Sequence, residues 1–231
     1  MNNFFNKIYY CNIAEIDLDS RMKDIISKCP YERKTLAEST KNKLNAQHTY
    51  VSGALLYSLL SDESFGFDHN EIMTLSISKD DNGKPFLSDY PNIFFNFSHS
   101  YNYVICALST AGPIGCDVEF HRKNAKIDNI AERFFEENEA KRVINTFPTD
   151  EKTKLFYRYW TSQESYIKAN GQGLRNGLKY FSLDLPHEVG SVFKCNDIYL
   201  KEFDIDSEYS FAVASYSYDA TKEFIAIKHN F

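Results

Sequence analysis

The chain has 231 residues, enough for one large domain or two small ones, and 43% of them are hydrophobic. Nineteen Phe and 16 Tyr supply material for a sizeable core, which excludes a disordered chain. With 26 Lys and Arg against 32 Asp and Glu, the net charge of −6 argues against a nucleic-acid protein, which needs a net basic face.

Periodicity predicts a strand at Ile8–Ile13 and a helix at Ala46–Leu60, with no element assigned between them. Strands follow at Ile72–Ser78, Ile93–Ser98 and Tyr103–Ser109. Beyond Ala111-Gly112-Pro113, a turn signal, the order recurs. Ile114–Glu119 reads as strand, Asn129–Phe147 as an extra helical segment and Lys152–Ala169 as helix. Tyr180–Leu185, Ile198–Phe203, Ser210–Tyr216 and Phe224–Lys228 complete the set as strands. The expected fold class is therefore α+β, in two similar halves, 1–112 and 113–231, related by duplication. A cleft between such halves is a favoured place for a ligand. The five cysteines are scattered without CxxC spacing, so neither a zinc knuckle nor a disulfide framework is expected. The opening residues lack the apolar core of a signal peptide, and no apolar run spans a membrane, so the expected location is cytoplasmic.

Four segments carry candidate chemistry. In Ile114-Gly115-Cys116-Asp117-Val118-Glu119 the alternation of a strand puts Asp117 and Glu119 on one face. Two carboxylates so placed suit a hard divalent ion, although a solvated edge strand carries such pairs too. In the helix containing Trp160-Thr161-Ser162-Gln163-Glu164-Ser165-Tyr166-Ile167-Lys168, positions 160, 163, 164, 167 and 168 share a stripe. Glu164 and Lys168 could be an ordinary surface pair, but the only tryptophan shares their stripe, so that face is at least half buried. Ser98 and His99, in Phe95-Asn96-Phe97-Ser98-His99-Ser100, could line an anion cradle or be structural. Asn82-Gly83-Lys84-Pro85 fixes Lys84 on a turn, which is also what any hairpin would show.

Taken in order, GKP, FNFSHS, GCDVE and WTSQESYIK with GQGL resemble the 4′-phosphopantetheinyl transferases of the larger, Sfp-like type, over roughly residues 30 to 185. The resemblance implies that family's fold, two α+β halves related by a pseudo-twofold with the active site at their interface. It implies a monomeric enzyme that moves the phosphopantetheine arm of coenzyme A to a serine of an apo-carrier protein, acyl, peptidyl or polyketide. Asp117, Glu119 and Glu164 would hold Mg²⁺, Glu164 would be the base, and Lys168 would steady the pyrophosphate. Lys84, Ser98, His99, Arg33 and Thr49 would contact coenzyme A, as would Asp117 and Lys168. Three positions depart from the family pattern. Gln163 stands where lysine is usual, His48 where arginine is common, and the N-terminal basic pair is reduced to Arg33 and Lys34. Gln163 is expected to face the coenzyme A phosphates. These lost cations motivate an alternative, a non-catalytic homologue that binds coenzyme A or a carrier. Arg122, Lys123, Lys126, Arg133, Lys141 and Arg142 form the densest basic segment and are expected to dock the carrier.

Overall fold

A computed structural model describes residues 4–123, 126–173, 179 and 181–231. The chain divides into two compact units, Met1–Gly112 with Phe224–Phe231, and Pro113–Glu223. The closing strand, expected in the second half, thus lies in the first unit.

In the first unit β1 (Asn6–Asn12) pairs antiparallel with β5 (Tyr103–Ser109), which forms a hairpin with β4 (Phe94–Ser100). β10 (Ile225–Lys228) adds parallel to the other edge of β1, giving the order β10-β1-β5-β4. Two helices, α1 (Leu18–Ser27) and α2 (Tyr31–Ser39), occupy the stretch left unassigned from sequence. The long helix α3 (Lys43–Leu60) starts where the Asn42 side chain accepts from the Asn45 backbone N–H. It buries Val51, Leu55 and Leu59 against Phe95, Val104 and Cys106 of the sheet. The strand expected from Ile72 is replaced by a short helix, α4 (His69–Met73). There Asp68 and Glu71 cap each other's backbone N–H groups at 2.9 and 2.7 Å, so a reciprocal box starts a helical turn before β2 (Ile77–Lys79) can begin. A turn through Gly83, at φ +86°, connects β2 to β3 (Pro85–Leu87).

The second unit is an antiparallel sheet in the order β6-β9-β8-β7. Its strands are β6 (Ile114–Phe120), β7 (Val192–Cys195), β8 (Ile198–Phe203) and β9 (Tyr209–Ser215). The helical segment expected at Asn129–Phe147 is two helices, α5 (Ile127–Phe134) and α6 (Glu137–Ile144). Glu136 and Glu139 form a second capping box that restarts the helix. α7 (Thr149–Asn170) crosses β6 and β9 and ends at Gly171 in the left-handed region, φ 73°. A short α8 (Tyr218–Glu223) ends the unit. No strand forms over 181–185, and Tyr180 lies outside the described residues. Leu183 spends its backbone N–H on the Glu139 carboxylate at 2.5 Å rather than on a neighbouring strand. Each unit thus contains a strand, a long helix and a closing hairpin, and β6-β9-β8 repeats the sheet order β1-β5-β4.

One glycine sets how closely α7 meets β6. A Cβ built on Gly115 would lie 2.1 Å from the Ser165 carbonyl O, 2.4 Å from the Ala169 N and 2.8 Å from the Lys168 Cβ. Two of those atoms are backbone and cannot swing aside. Gly115→Ala is therefore expected to lower the unfolding free energy by about 2 kcal/mol, through overpacking. Urea titration checks this, and a loss below about 0.5 kcal/mol would mean the contact is loose. All five cysteines are buried. Burial pushes the Cys11 and Cys29 thiols up to about 12 and Cys195 to about 11. At pH 8 almost no thiolate is present at these three positions in the folded protein, so iodoacetamide should label them only after denaturant is added. Mass spectrometry of the native, treated protein checks it.

Candidate active site

The centre of the site is built by β6 and α7 within the second unit. Asp117, buried in the middle of β6, receives a hydrogen bond from the Lys168 ammonium, Nζ to Oδ1 2.6 Å. The same Nζ donates to the Cys116 carbonyl O at 3.2 Å. The Gly115 contact is what lets Lys168, two residues from the end of α7, reach strand atoms one and two residues further along β6. Burial is the largest single influence and works against the ammonium, but the Asp117 charge, the Cys116 thiol, the hydrogen bond to Asp117 and the Glu164 charge together outweigh it and leave the Lys168 pKa above its ordinary value. Glu164, one helical turn before Lys168, is half-buried. Burial and then the Asp117 charge push its carboxyl upward, and Lys168 partly offsets this. The structure thus brings together three of the expected residues: two carboxylates that feel each other and a lysine that stands on one of them.

Glu119 lies two residues beyond Asp117 on the same strand face, paired across from Ser210 and half-buried. Among the described residues no three His, Cys, Asp or Glu side chains gather in an arrangement that holds a metal ion. Trp160 is half-buried, as the stripe predicts, among Phe134, Phe135 and Phe156 at centroid distances of 5.8 to 6.3 Å. Gln163 departs from expectation. It is fully buried and its Nε2 donates to Glu139 at 2.7 Å, so it faces the α6 side of the core and no open surface. A 3.6-residue stripe is wide enough that its edge turns inward, which is why position 163 and position 164 part company. Glu139 itself carried no signal of function in the sequence beyond its place three residues after Glu136.

The remaining candidates lie in the first unit. Arg33 stacks over the Phe97 ring, 4.4 Å to the centroid, and its Nη2 donates to the Ser52 hydroxyl. Burial pulls its pKa down, and its Nε is buried with no hydrogen-bond partner among the described residues. Arg33 and Phe97 line a cleft of 380 Å³ with Glu32, Leu36, Lys79 and Pro85. Ser98 and His99, successive residues of β4, point their side chains to opposite faces of the sheet. His99 is exposed and its ring lies tilted against His48 at 4.4 Å between centroids. His48 is buried, and its Nε2 donates to the Tyr101 carbonyl O at 2.9 Å. Burial lowers its pKa, so it supplies no cation where the family commonly has arginine. Thr49 spends its hydroxyl on the Asn45 carbonyl, 2.9 Å. The Lys84 backbone N–H is held by Asp80 in the β2–β3 turn, 2.8 Å. Leu174 of GQGL lies outside the described residues.

Part of the basic segment is paired. Lys141 pairs with Glu137 at 2.5 Å, Lys123 with Asp150 at 3.8 Å, and Arg133 lies over Phe134.

A family model described as the 4′-phosphopantetheinyl transferase superfamily matches residues 113–220, the stretch that holds β6 and α7. The chain is 34% identical over 180 residues to 4′-phosphopantetheinyl transferase Sfp of Bacillus subtilis (strain 168), covering 75% of this chain and 76% of that protein. It is 32% identical over 193 residues to 4′-phosphopantetheinyl transferase ffp of Bacillus subtilis, covering 81% and 82%. A mouse protein, L-aminoadipate-semialdehyde dehydrogenase-phosphopantetheinyl transferase, is 31% identical over 156 residues, covering 62% and 50%. The chain belongs to the 4′-phosphopantetheinyl transferase superfamily. Its similarity to the Bacillus proteins over most of its length places it with the Sfp-like type, as the motifs imply. Among the described residues no helix is long and apolar enough to cross a membrane.

The ion pair has a measurable consequence. Lys168→Met leaves Asp117 buried without its counter-charge, and the expected cost is about 3 kcal/mol of unfolding free energy. Adding Asp117→Asn to that variant should recover part of the loss. Equal losses in the single and double variants would mean the pair contributes nothing.

Proposed function

We propose that this protein transfers the 4′-phosphopantetheine arm of coenzyme A to a serine hydroxyl of an apo-carrier protein, releasing adenosine 3′,5′-bisphosphate in a magnesium-dependent reaction. The observation that carries the proposal, beside the family membership, is the Asp117–Lys168 pair with Glu164 raised next to it. A carboxylate above its ordinary pKa is a better base for a hydroxyl proton than an exposed one. The carrier serine oxygen bonds to the phosphorus that bears the pantetheine arm, and the bond from that phosphorus to the oxygen of the nucleotide-side phosphate breaks. The serine proton passes to Glu164, directly or through water. Lys168 keeps its charge and steadies the pyrophosphate oxygens.

Asp117, Glu119 and Glu164 are the residues that would hold magnesium. The chemistry of the donor set fits: all three offer hard carboxylate oxygens, burial and the Asp117 charge push the Glu164 carboxyl upward, and two carboxylates with substrate phosphate are a usual magnesium arrangement. When bound, the ion supplies positive charge to the transferring phosphorus and the leaving phosphate. Arg33, Thr49, Lys84, Ser98 and His99 are the proposed contacts to the nucleotide. The buried Arg33 guanidinium and its cleft support the first of them. The proposal also reads the protein as a cytoplasmic monomer.

Incubation with coenzyme A, Mg²⁺ and an apo-carrier should add the mass of the phosphopantetheine arm to the carrier. Asp117→Ala and Glu164→Gln should each slow transfer by about a hundredfold or more. Transfer that persists in excess EDTA, or an Asp117→Ala enzyme within about tenfold of wild type, would contradict the assignment. Coenzyme A binding with no transfer to any of several carriers would favour the non-catalytic alternative, which the neutral His48 motivates.

A further inference from the structure

Glu139 is an unusual capping residue. A helix-capping carboxylate normally sits in water, whereas this one is 2% exposed. Burial pushes its carboxyl upward, a cost that a well-packed apolar residue would not incur. The carboxylate is surrounded by donors from three separate segments. Oε2 accepts from the Gln163 amide of α7 at 2.7 Å and from the Glu136 N–H of α6 at 3.2 Å. Oε1 accepts from the Leu183 N–H at 2.5 Å and the Ser182 hydroxyl at 3.4 Å, both on the chain that returns after α7. One buried carboxylate therefore ties the start of α6, α7 and the returning segment to a single point. Its contact on α7 is the residue immediately before Glu164.

We propose that Glu139 is a positioning residue for the catalytic helix: by holding Gln163 it sets the roll of α7 that presents Glu164 and Lys168 to Asp117. This rests on the reading of Glu164 and Lys168 given above. Consecutive helix residues lie about 100° apart, so a rotation that releases Gln163 from Glu139 also swings Glu164 off its place. At the Gly115 contact the backbones of α7 and β6 already touch, so α7 cannot adjust by moving closer to β6. Position 163 on this account answers to Glu139 and not to substrate. Gln163 is also imperfect in that role, since its Oε1 is buried with no hydrogen-bond partner among the described residues. A lysine there would offer a charged donor to the buried carboxylate and leave no orphan acceptor.

The test compares wild type with Glu139→Gln, the exchanged pair Glu139→Gln/Gln163→Glu, and Gln163→Lys. Transfer kinetics with coenzyme A, Mg²⁺ and an apo-carrier are measured beside thermal unfolding and the near-ultraviolet circular dichroism of Trp160. That residue is the only tryptophan and lies on α7 three residues before Gln163, so its signal reports the roll of the helix without any reaction. Glu139→Gln should lower kcat about tenfold or more while KM for coenzyme A stays within about twofold, and should alter the Trp160 band well below the unfolding temperature. The exchanged pair should restore both. Gln163→Lys should raise the unfolding temperature and leave KM for coenzyme A unchanged. If Glu139→Gln does not fold, Gln163→Met, which keeps the volume and removes the donor, takes its place with the same expectations. The proposal is overturned if Glu139→Gln leaves kcat and the Trp160 band unaltered, if the exchange rescues neither, or if Gln163→Lys lowers KM for coenzyme A several-fold, which would put position 163 on the substrate. A wild type that transfers nothing would sink the functional reading instead, and the Trp160 band of the four proteins would then decide the positioning by itself.

Discussion

Gly115 has no side chain, and the backbone of α7 occupies the space where one would be. Its absent Cβ would fall inside contact distance of the Ser165 carbonyl and the Ala169 amide, so the helix lies directly on the strand. From that contact the rest of the site follows in sequence. Lys168 is carried onto the Cys116 carbonyl and the Asp117 carboxylate, and Glu164 one turn earlier comes within reach of the Asp117 charge. Ser165, on the same face, donates its hydroxyl to the Ala212 carbonyl of β9 and so fastens the helix to the next strand as well.

Such an arrangement is poor design for stability alone. A buried carboxylate with one lysine, beside a second carboxylate that it destabilises, spends desolvation energy that an apolar contact would save. α7 repeats the pattern elsewhere: Arg158 makes a two-pronged ion pair to the buried Glu202 of β8 at 2.8 and 2.6 Å, and Gln163 meets the buried Glu139. Polar anchors in three directions hold the helix at one rotation and one height, where hydrophobic packing by itself would tolerate small slips. That rigidity is what a phosphoryl-transfer site asks of its scaffold, because positioning and fixed charge account for most of what the protein can contribute.

Much of this was legible in the residues, for identifiable reasons. β5 and β8 were read to the residue because continuous or alternating apolar runs leave no other choice, and the lone Trp160 marked the stripe of α7 that turns inward. The motif order carried the family, and the paired acids of β6 and the helix acid and base were all in it. What failed turned on side-chain to backbone bonds that periodicity does not see. The Asp68–Glu71 box converts an apolar stretch at Ile72 into helix, and Glu139 draws Leu183 out of strand pairing. Gln163 was assigned to substrate from its neighbours on the stripe, when its partner lies 24 residues upstream on another helix. The parallel addition of β10 to β1 joins the two ends of the chain, a pairing no local signal could announce.

The central claim is that the closeness of β6 and α7 at Gly115 delivers the Asp117–Lys168 pair. The most direct measurement is the coupling energy between these two side chains, from a double-mutant cycle of unfolding free energies, repeated in a Gly115→Ala background. With glycine in place the coupling should be about 2 kcal/mol, and with alanine it should fall below about 0.5 kcal/mol as the helix is lifted from the strand. A coupling that survives undiminished in the alanine background would show that the ion pair does not depend on that contact, and would contradict the account.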